Sequence, residues 1–215
     1  MSRSKAQAAP RGFPDWLRWT ALLWLLFWLA VYWRTWGAAN FVQLCDIAVI
    51  LTCIGLWSNN ALLISSQAVS ALVIDLAWAL DAGWRLFLGR HLFGGTEYLF
   101  DTRFPLWIRL LSLFHLAMPP LLLWAVHRTG YDRRGLELQW TIMICALIAA
   151  RFTAPEKNMN FAFTDPFFHR ALGPAPLHVA ISAAFLAFVV YLPTHLLLLK
   201  LFPRHPSEAK RSEGR

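Results

Sequence analysis

The sequence predicts an all-α, polytopic membrane protein with six transmembrane helices and a short interfacial helix between the fifth and sixth. Three observations carry this. Of the 215 residues, 58% are hydrophobic and 15% charged, more apolar surface than a soluble domain can hide from water. The apolar residues run in unbroken stretches of about 17 to 25, the length that crosses the hydrocarbon at 1.5 Å per residue. The net charge is +8, yet the basic residues sit at the chain ends and between the apolar stretches. That distribution speaks for membrane topology and lipid headgroups and against a nucleic-acid surface.

The elements follow in order. Residues 1–15 carry Arg3, Lys5 and Arg11 with Pro10 and Pro14, a basic arm too polar and interrupted to fold alone. The first span, 16–33, is flanked by Trp16 and Trp19 at one end and Trp33 and Trp36 at the other, an aromatic-belted anchor longer than a signal-peptide core. Spans at 41–57 and 61–80 form a hairpin around the polar turn Ser58, Asn59, Asn60. The linker 81–103 mixes Trp84, Leu86, Phe87 and Leu88 with Arg85 and Arg90 before Gly94 and Gly95, which suits a helix lying in the interface. Spans four, five and six cover 104–126, 136–152 and 177–202. Between the last two, Asp165-Pro166 opens a short helix that Gly173-Pro174 closes. The tail 203–215 is basic and polar, so the transmembrane domain is 16–202.

Orientation follows from the basic residues. With the N-terminus inside, twelve fall on the cytoplasmic side and seven opposite, with Arg109 inside a span, so both termini are expected in the cytoplasm. Sixteen of the twenty basic residues are Arg, a codon-usage hint toward a GC-rich bacterium and hence its cytoplasmic membrane. Cys45, Cys53 and Cys145 all lie in apolar stretches, and no Cys or His spacing suits a metal. No cofactor is expected, and the partners expected are membrane lipids and not nucleic acid.

Charges inside the hydrocarbon cost roughly 2.5–3.5 kcal/mol each, so each one needs a partner or a function. Asp46, Asp75 and Arg109 lie at one depth on spans two, three and four, about five residues from the outer boundary, so an Asp46 or Asp75 pair with Arg109 is expected. Arg151 lies nearer that boundary and His115 nearer mid-membrane. The stripe Arg109, Ser112, His115, Pro119 faces inward at helical spacing. Pro119 and Pro120 strip the carbonyls of His115 and Leu116 of their amide partners and should kink the helix. Few polar groups are expected in the inner half. Polar groups gathered in the outer half suit a ligand or catalytic pocket, although ion pairs that fix helix packing would look the same from sequence. Cys45 is the best-placed nucleophile, with His115 as its base only if tilt or the kink closes a nominal gap of about 10 Å.

Gln43-Leu44-Cys45-Asp46, Phe114-His115 and Leu172-Gly173-Pro174-Ala175-Pro176, followed by a helix ending Tyr191-Leu192-Pro193, together resemble the YwaF-like bacterial integral membrane proteins. These are related to eukaryotic transmembrane acyltransferases that remodel ether phospholipids. The likeness covers roughly residues 40–200. It implies acyl transfer on lipids with Cys45 and His115 catalytic; beside it, a lipid acyltransferase or hydrolase is expected to hold its substrate with Asp46, Asp75, Arg109, Arg151, Glu156, Lys157 and Asn158. The chain departs from that family at Gln43, where a His is common, and in the more charged segment 155–160. The competing reading is a non-enzymatic membrane protein, a small transporter or a structural partner, whose buried charges bind a ligand or lock helices.

The topology is open to direct test. In a background lacking the three native cysteines, a membrane-impermeant thiol reagent should label Glu156→Cys in intact cells and miss Ser58→Cys. The opposite pattern would invert the orientation.

Overall fold

The computed structural model describes residues 12–203, so most of the basic arm and tail lies outside the described residues. The described residues hold helices and turns and no strand. Six helices organise them: α1 (Asp15–Trp36), α2 (Leu44–Ser58), α3 (Ala61–Leu88), α4 (Leu106–Thr129), α5 (Gly135–Ala150) and α6 (Ala175–Leu201). They run alternately between two ends. At one end Phe13 N–H donates to Asn59, the Arg128 guanidinium to the Gly12 carbonyl, and Tyr131 meets His195. At the other, the loop-rich end, lie the 3₁₀ turn Ala38–Val42 and the segments 89–105 and 151–174.

Four of the six, α1, α3, α4 and α6, are long and apolar enough to cross a membrane, at 22, 28, 24 and 27 residues. The helices α2 and α5 are apolar but reach only 15 and 16 residues, about 22–24 Å against a hydrocarbon core of about 30 Å. The expected span at 41–57 is shortened because 38–42 wind as 3₁₀ and Gln43 is extended (φ −60°, ψ 132°). Length and composition therefore establish four spans. Their outward faces carry Leu23, Leu26, Phe27, Leu76, Leu116, Phe188 and Leu197, all more than half exposed, as helices bathed in lipid should.

The core forms around α3, which packs against α2, α4, α5 and α6. Small residues permit the approach. A Cβ on Gly135 would sit 2.9 Å from the Ser65 carbonyl carbon and the Ser66 nitrogen, so the start of α5 lies directly on α3. Ser65 Oγ accepts from Asp132 N–H at 2.9 Å and anchors the turn before it. The shortage of polar groups expected in the half of the bundle nearer the N-terminus does not hold. Ser66, Gln67, Ser70 and Gln139 are buried there, and Gln139 Nε2 donates to Tyr191 OH at 3.4 Å. The outer-half bias read from charges overlooked these neutral groups.

Three expected elements differ. The 81–103 linker does not begin with a separate interfacial helix, because α3 runs on to Leu88 and stops at Gly89, whose φ of 75° suits only glycine without strain. The short helix expected from Asp165 is a single turn. Asp165 Oδ1 accepts the amides of Phe167 and Phe168 as an N-cap would, but His169 turns to φ 53° and ends it. In α4 the helix continues through Pro119 and Pro120, and the irregularity lies earlier, as a 3₁₀ turn at Leu111–Leu113. A further π turn, Leu186–Tyr191, interrupts α6.

Gly135→Ala forces Cβ into the α3 backbone and should cost about 1–3 kcal/mol by overpacking. Thermal unfolding in detergent should show an earlier transition, whereas Gly83→Ala, which meets nothing within 4 Å, should not.

Candidate functional site

At the loop-rich end, α2 is started by a residue far away in sequence. Its first amide, Leu44 N–H, donates to Asn160 Oδ1 at 2.9 Å, while Asn160 Nδ2 donates to the Val42 carbonyl and Asn160 N–H to Gln43 Oε1. Asn160 makes these contacts from φ 52°, a left-handed conformation that Asn tolerates better than most residues. This cap from another segment replaces the side-chain cap that Gln43 does not supply. It sets Cys45 and Asp46 in the first turn of α2, where the helix dipole favours a carboxylate.

Asp46 is buried at 2% exposure. Its Oδ2 accepts from Asn40 Nδ2 at 2.5 Å, and its Oδ1 lies 3.9 Å from Cys45 Sγ. The carboxylate set against the Cys45 thiol is therefore Asp46. No hydrogen bond joins Cys45 to His115 among the described residues.

His115 faces Asp75. Its Nε2 lies 4.0 Å from Asp75 Oδ1, with both groups buried. Its Nδ1 lies 2.7 Å from the Ser112 carbonyl oxygen, and since a carbonyl only accepts, Nδ1 carries the hydrogen. Ser112 belongs to the 3₁₀ turn Leu111–Leu113, where the regular helical ladder is broken beside this carbonyl. In the neutral ring Nε2 then points its lone pair at Asp75. Trp78 stacks on the imidazole at 4.5 Å and 7°, and Phe114 flanks it at 4.1 Å. The rings fix its plane and keep water away.

Tyr98, from the single turn Glu97–Phe100, ties these helices together. Its hydroxyl accepts from Trp78 Nε1 at 2.8 Å. Burial, then the neighbouring Cys45, push its phenol well above the ordinary value, opposed by hydrogen bonds with Ser112 and Trp78, and Asp46 lies in range as well. Tyr98 thus bonds groups of α3 and α4. The turn that carries it is held by Asp81. Asp81 Oδ1 accepts the amides of Leu92, Phe93 and Gly94 at 2.7–3.0 Å. Its Oδ2 accepts from the Thr96 hydroxyl and lies 2.9 Å from His91 Nδ1.

The structure therefore sets Cys45 against Asp46 and His115 against Asp75, the second pair walled by Trp78 and Phe114, and places the other sequence candidates elsewhere. Arg109 is not paired with an aspartate. Its Nη1 donates to the Leu99 carbonyl at 3.0 Å, because the latched 89–105 segment presents that oxygen beside it. Arg151 donates to the Ala162 carbonyl at 3.1 Å and lies 4.0 Å over the Phe163 ring. Lys157 donates to the Trp36 carbonyl at 3.0 Å. Asn158, at φ 43°, accepts the amides of Phe163 and Thr164 and shapes its own loop. Glu156 is exposed.

Trp78, Tyr98 and Asn160 were missed from sequence, and Asp81 was read only as a charge near the outer boundary. Trp78 had a signal, since it follows Asp75 by three residues on the same helical face. The pair Asn158 and Asn160 had one too, as repeated Asn marks positive φ. Among the described residues no three His, Cys, Asp or Glu side chains converge as a metal site. Comparison with known protein families, with curated proteins and with solved structures finds no match.

Because Asp46 and Arg109 have separate partners, the losses of Asp46→Asn and Arg109→Gln should add in the double variant to within about 0.5 kcal/mol. Asp75→Asn and His115→Gln should not add. Unfolding of both cycles in detergent measures this, and strong coupling of Asp46 to Arg109 would contradict the geometry.

Proposed function

We propose that this chain is a multi-pass protein of the bacterial cytoplasmic membrane, with both termini inside, that carries out acyl transfer or hydrolysis on membrane lipids. The loop-rich end is then the outer face. The observation that carries the reading is the buried Asp75–His115 pair, its ring plane and tautomer fixed by Ser112 and Trp78, next to the α2 turn that bears Cys45. The resemblance through Gln43 to Asp46, Phe114-His115 and 172–176 points the same way.

In this reading Cys45 attacks an acyl carbonyl as its thiol proton passes to Asp46. The tetrahedral adduct collapses to a thioester, and the departing alkoxide takes a proton carried on His115 opposite Asp75. Water or an acceptor alcohol then attacks the thioester, His115 receives its proton, and Asp46 returns one to the departing thiolate. A dry aromatic site strengthens each of these charge interactions. Arg109, Arg151 and Lys157, each tethered by one carbonyl and keeping further N–H donors, suit a lipid phosphate.

A second reading, a structural or ligand-binding membrane protein, draws support from the same tethers. Carboxylates and guanidiniums satisfied by Asn40 and by backbone carbonyls also lock helices without chemistry. Comparative lipidomics separates the two. A deletion strain and strains carrying Cys45→Ala or His115→Ala should share one altered acyl-chain distribution, with the variants still folded and inserted, and with a rate loss of about 10²–10⁴ for His115→Ala. An unchanged lipidome in all three would leave the structural reading standing.

A further inference from the structure

A groove of about 400 Å³ opens between α2 and α5 on the flank of the bundle, lined by the side chains of Phe41, Ile47, Ile142, Cys145 and Ala149 among others. Its α5 wall runs from Thr141 to Ala149, a rise of about 12 Å. That is close to the depth of one leaflet, half of an about 30 Å core. The wall exists because Cys145, Ala146 and Ala149 are small and recur at helical spacing toward the gap. The gap persists because the short α2 and α5 each pack on α3, and α5 meets the Ala38–Val42 turn.

The groove opens toward a cationic rim. Phe41 and Val42 belong to the 3₁₀ turn that starts just after Gly37, and Lys157 Nζ donates to the Trp36 carbonyl at 3.0 Å. From Gly37 to Phe41 is about 8 Å at 2 Å per residue, a span that a glycerol backbone covers. Arg151 follows Ala149 by two residues at the same end of α5. Glu156 is the one acidic residue in 151–160, against Arg151 and Lys157, so the rim is net positive. Lys157 uses one carbonyl and keeps two N–H donors.

We infer that this groove is a binding site for one anionic phospholipid, with an acyl chain against Cys145 and Ala149 and the phosphate at Lys157. The juxtaposition of an apolar slot one leaflet long with an ammonium fixed on Trp36, five residues before the lining residue Phe41, carries the assignment. It does not rest on the catalytic reading, since a bound lipid here needs no turnover and no contact with Cys45.

The test uses the full chain in a Cys45→Ala background, purified in detergent, with dioleoyl-phosphatidylglycerol or dioleoyl-phosphatidylcholine added. Cys145 is a free, exposed thiol inside the groove, and Cys53 is buried, so the rate of maleimide labelling reads occupancy directly. Phosphatidylglycerol should slow labelling at least fivefold at concentrations where phosphatidylcholine does little, and native mass spectrometry should find one retained phosphatidylglycerol. Ala149→Trp, an exposed position that fills the slot, should abolish retention. Lys157→Gln should erase the preference between the two lipids while leaving the fold intact by thermal unfolding. Equal protection by both lipids in the Lys157-bearing protein would remove the anionic assignment. Undiminished retention in Ala149→Trp, or labelling indifferent to lipid, would remove the site. Lipid retention without any change in the lipidome of the Cys45→Ala strain would sink the enzymatic reading alone.

Discussion

Hydrocarbon offers a buried N–H, carbonyl or carboxylate nothing to bond with, so polar groups in this chain depend on partners from other segments. The helix α3 is where that requirement concentrates. It carries Ser65, Ser66, Gln67, Ser70, Asp75 and Asp81, all buried, and each neighbour packed on it supplies or receives a bond. Ser65 holds the turn into α5, Asp75 faces His115 of α4, and Asp81 gathers three amides of the following loop. Replacing one partner would leave the other unpaired in a dry environment, which costs more than the net worth of the contact. The bundle is therefore specified by these polar contacts at least as much as by its apolar packing, which lipid tails could largely replace.

The same constraint explains why so much of the loop-rich end is ordered around single side chains. Asp81 organises 91–96, Asn158 organises 163–164, and Asn160 joins the 151–174 segment to the first turn of α2. His178 adds a fourth anchor. Its Nδ1 accepts from Leu172 N–H, and its Nε2 lies 2.9 Å from the Phe161 carbonyl, which gives the Nε2–H tautomer. Through these anchors the position of Tyr98, and with it the Trp78 ring stacked on His115, depends on residues outside the Asp75–His115 pair.

How much of this was legible follows from what each signal encodes. Run length and hydropathy depend on the chain's own residues, so the long helices α1, α3, α4 and α6 could be read directly. Helical spacing also put Ser112 and His115 on one face, and these two are bonded through the Ser112 carbonyl. Partner choice was not legible in the same way. Asp75 meets His115 and Arg109 meets a carbonyl because of where the 3₁₀ turn Leu111–Leu113 and the Asp81-latched loop place those groups, and neither feature has a periodic signature. The interfacial helix expected at 165–173 failed for a related reason. Asp165-Pro166 is a sound start, but His169 at positive φ turns the chain back so that Asp165 N–H bonds the Arg170 carbonyl, and nothing in the residue type announces that.

The lengths of α2 and α5 connect the fold to the site. Both helices stop short at the loop-rich end, where a 3₁₀ turn and Gln43 precede α2 and Arg151 ends α5. Longer helices would carry the polar 151–164 segment away from α2, and Asn160 could no longer cap Leu44. Shortness thus brings an irregular, hydrogen-bonding segment down onto the first turn that holds Cys45 and Asp46. It also leaves the slot beside that turn open to lipid. The thiol and carboxylate of that turn are thus positioned by the same few bonds that keep the irregular backbone around them satisfied.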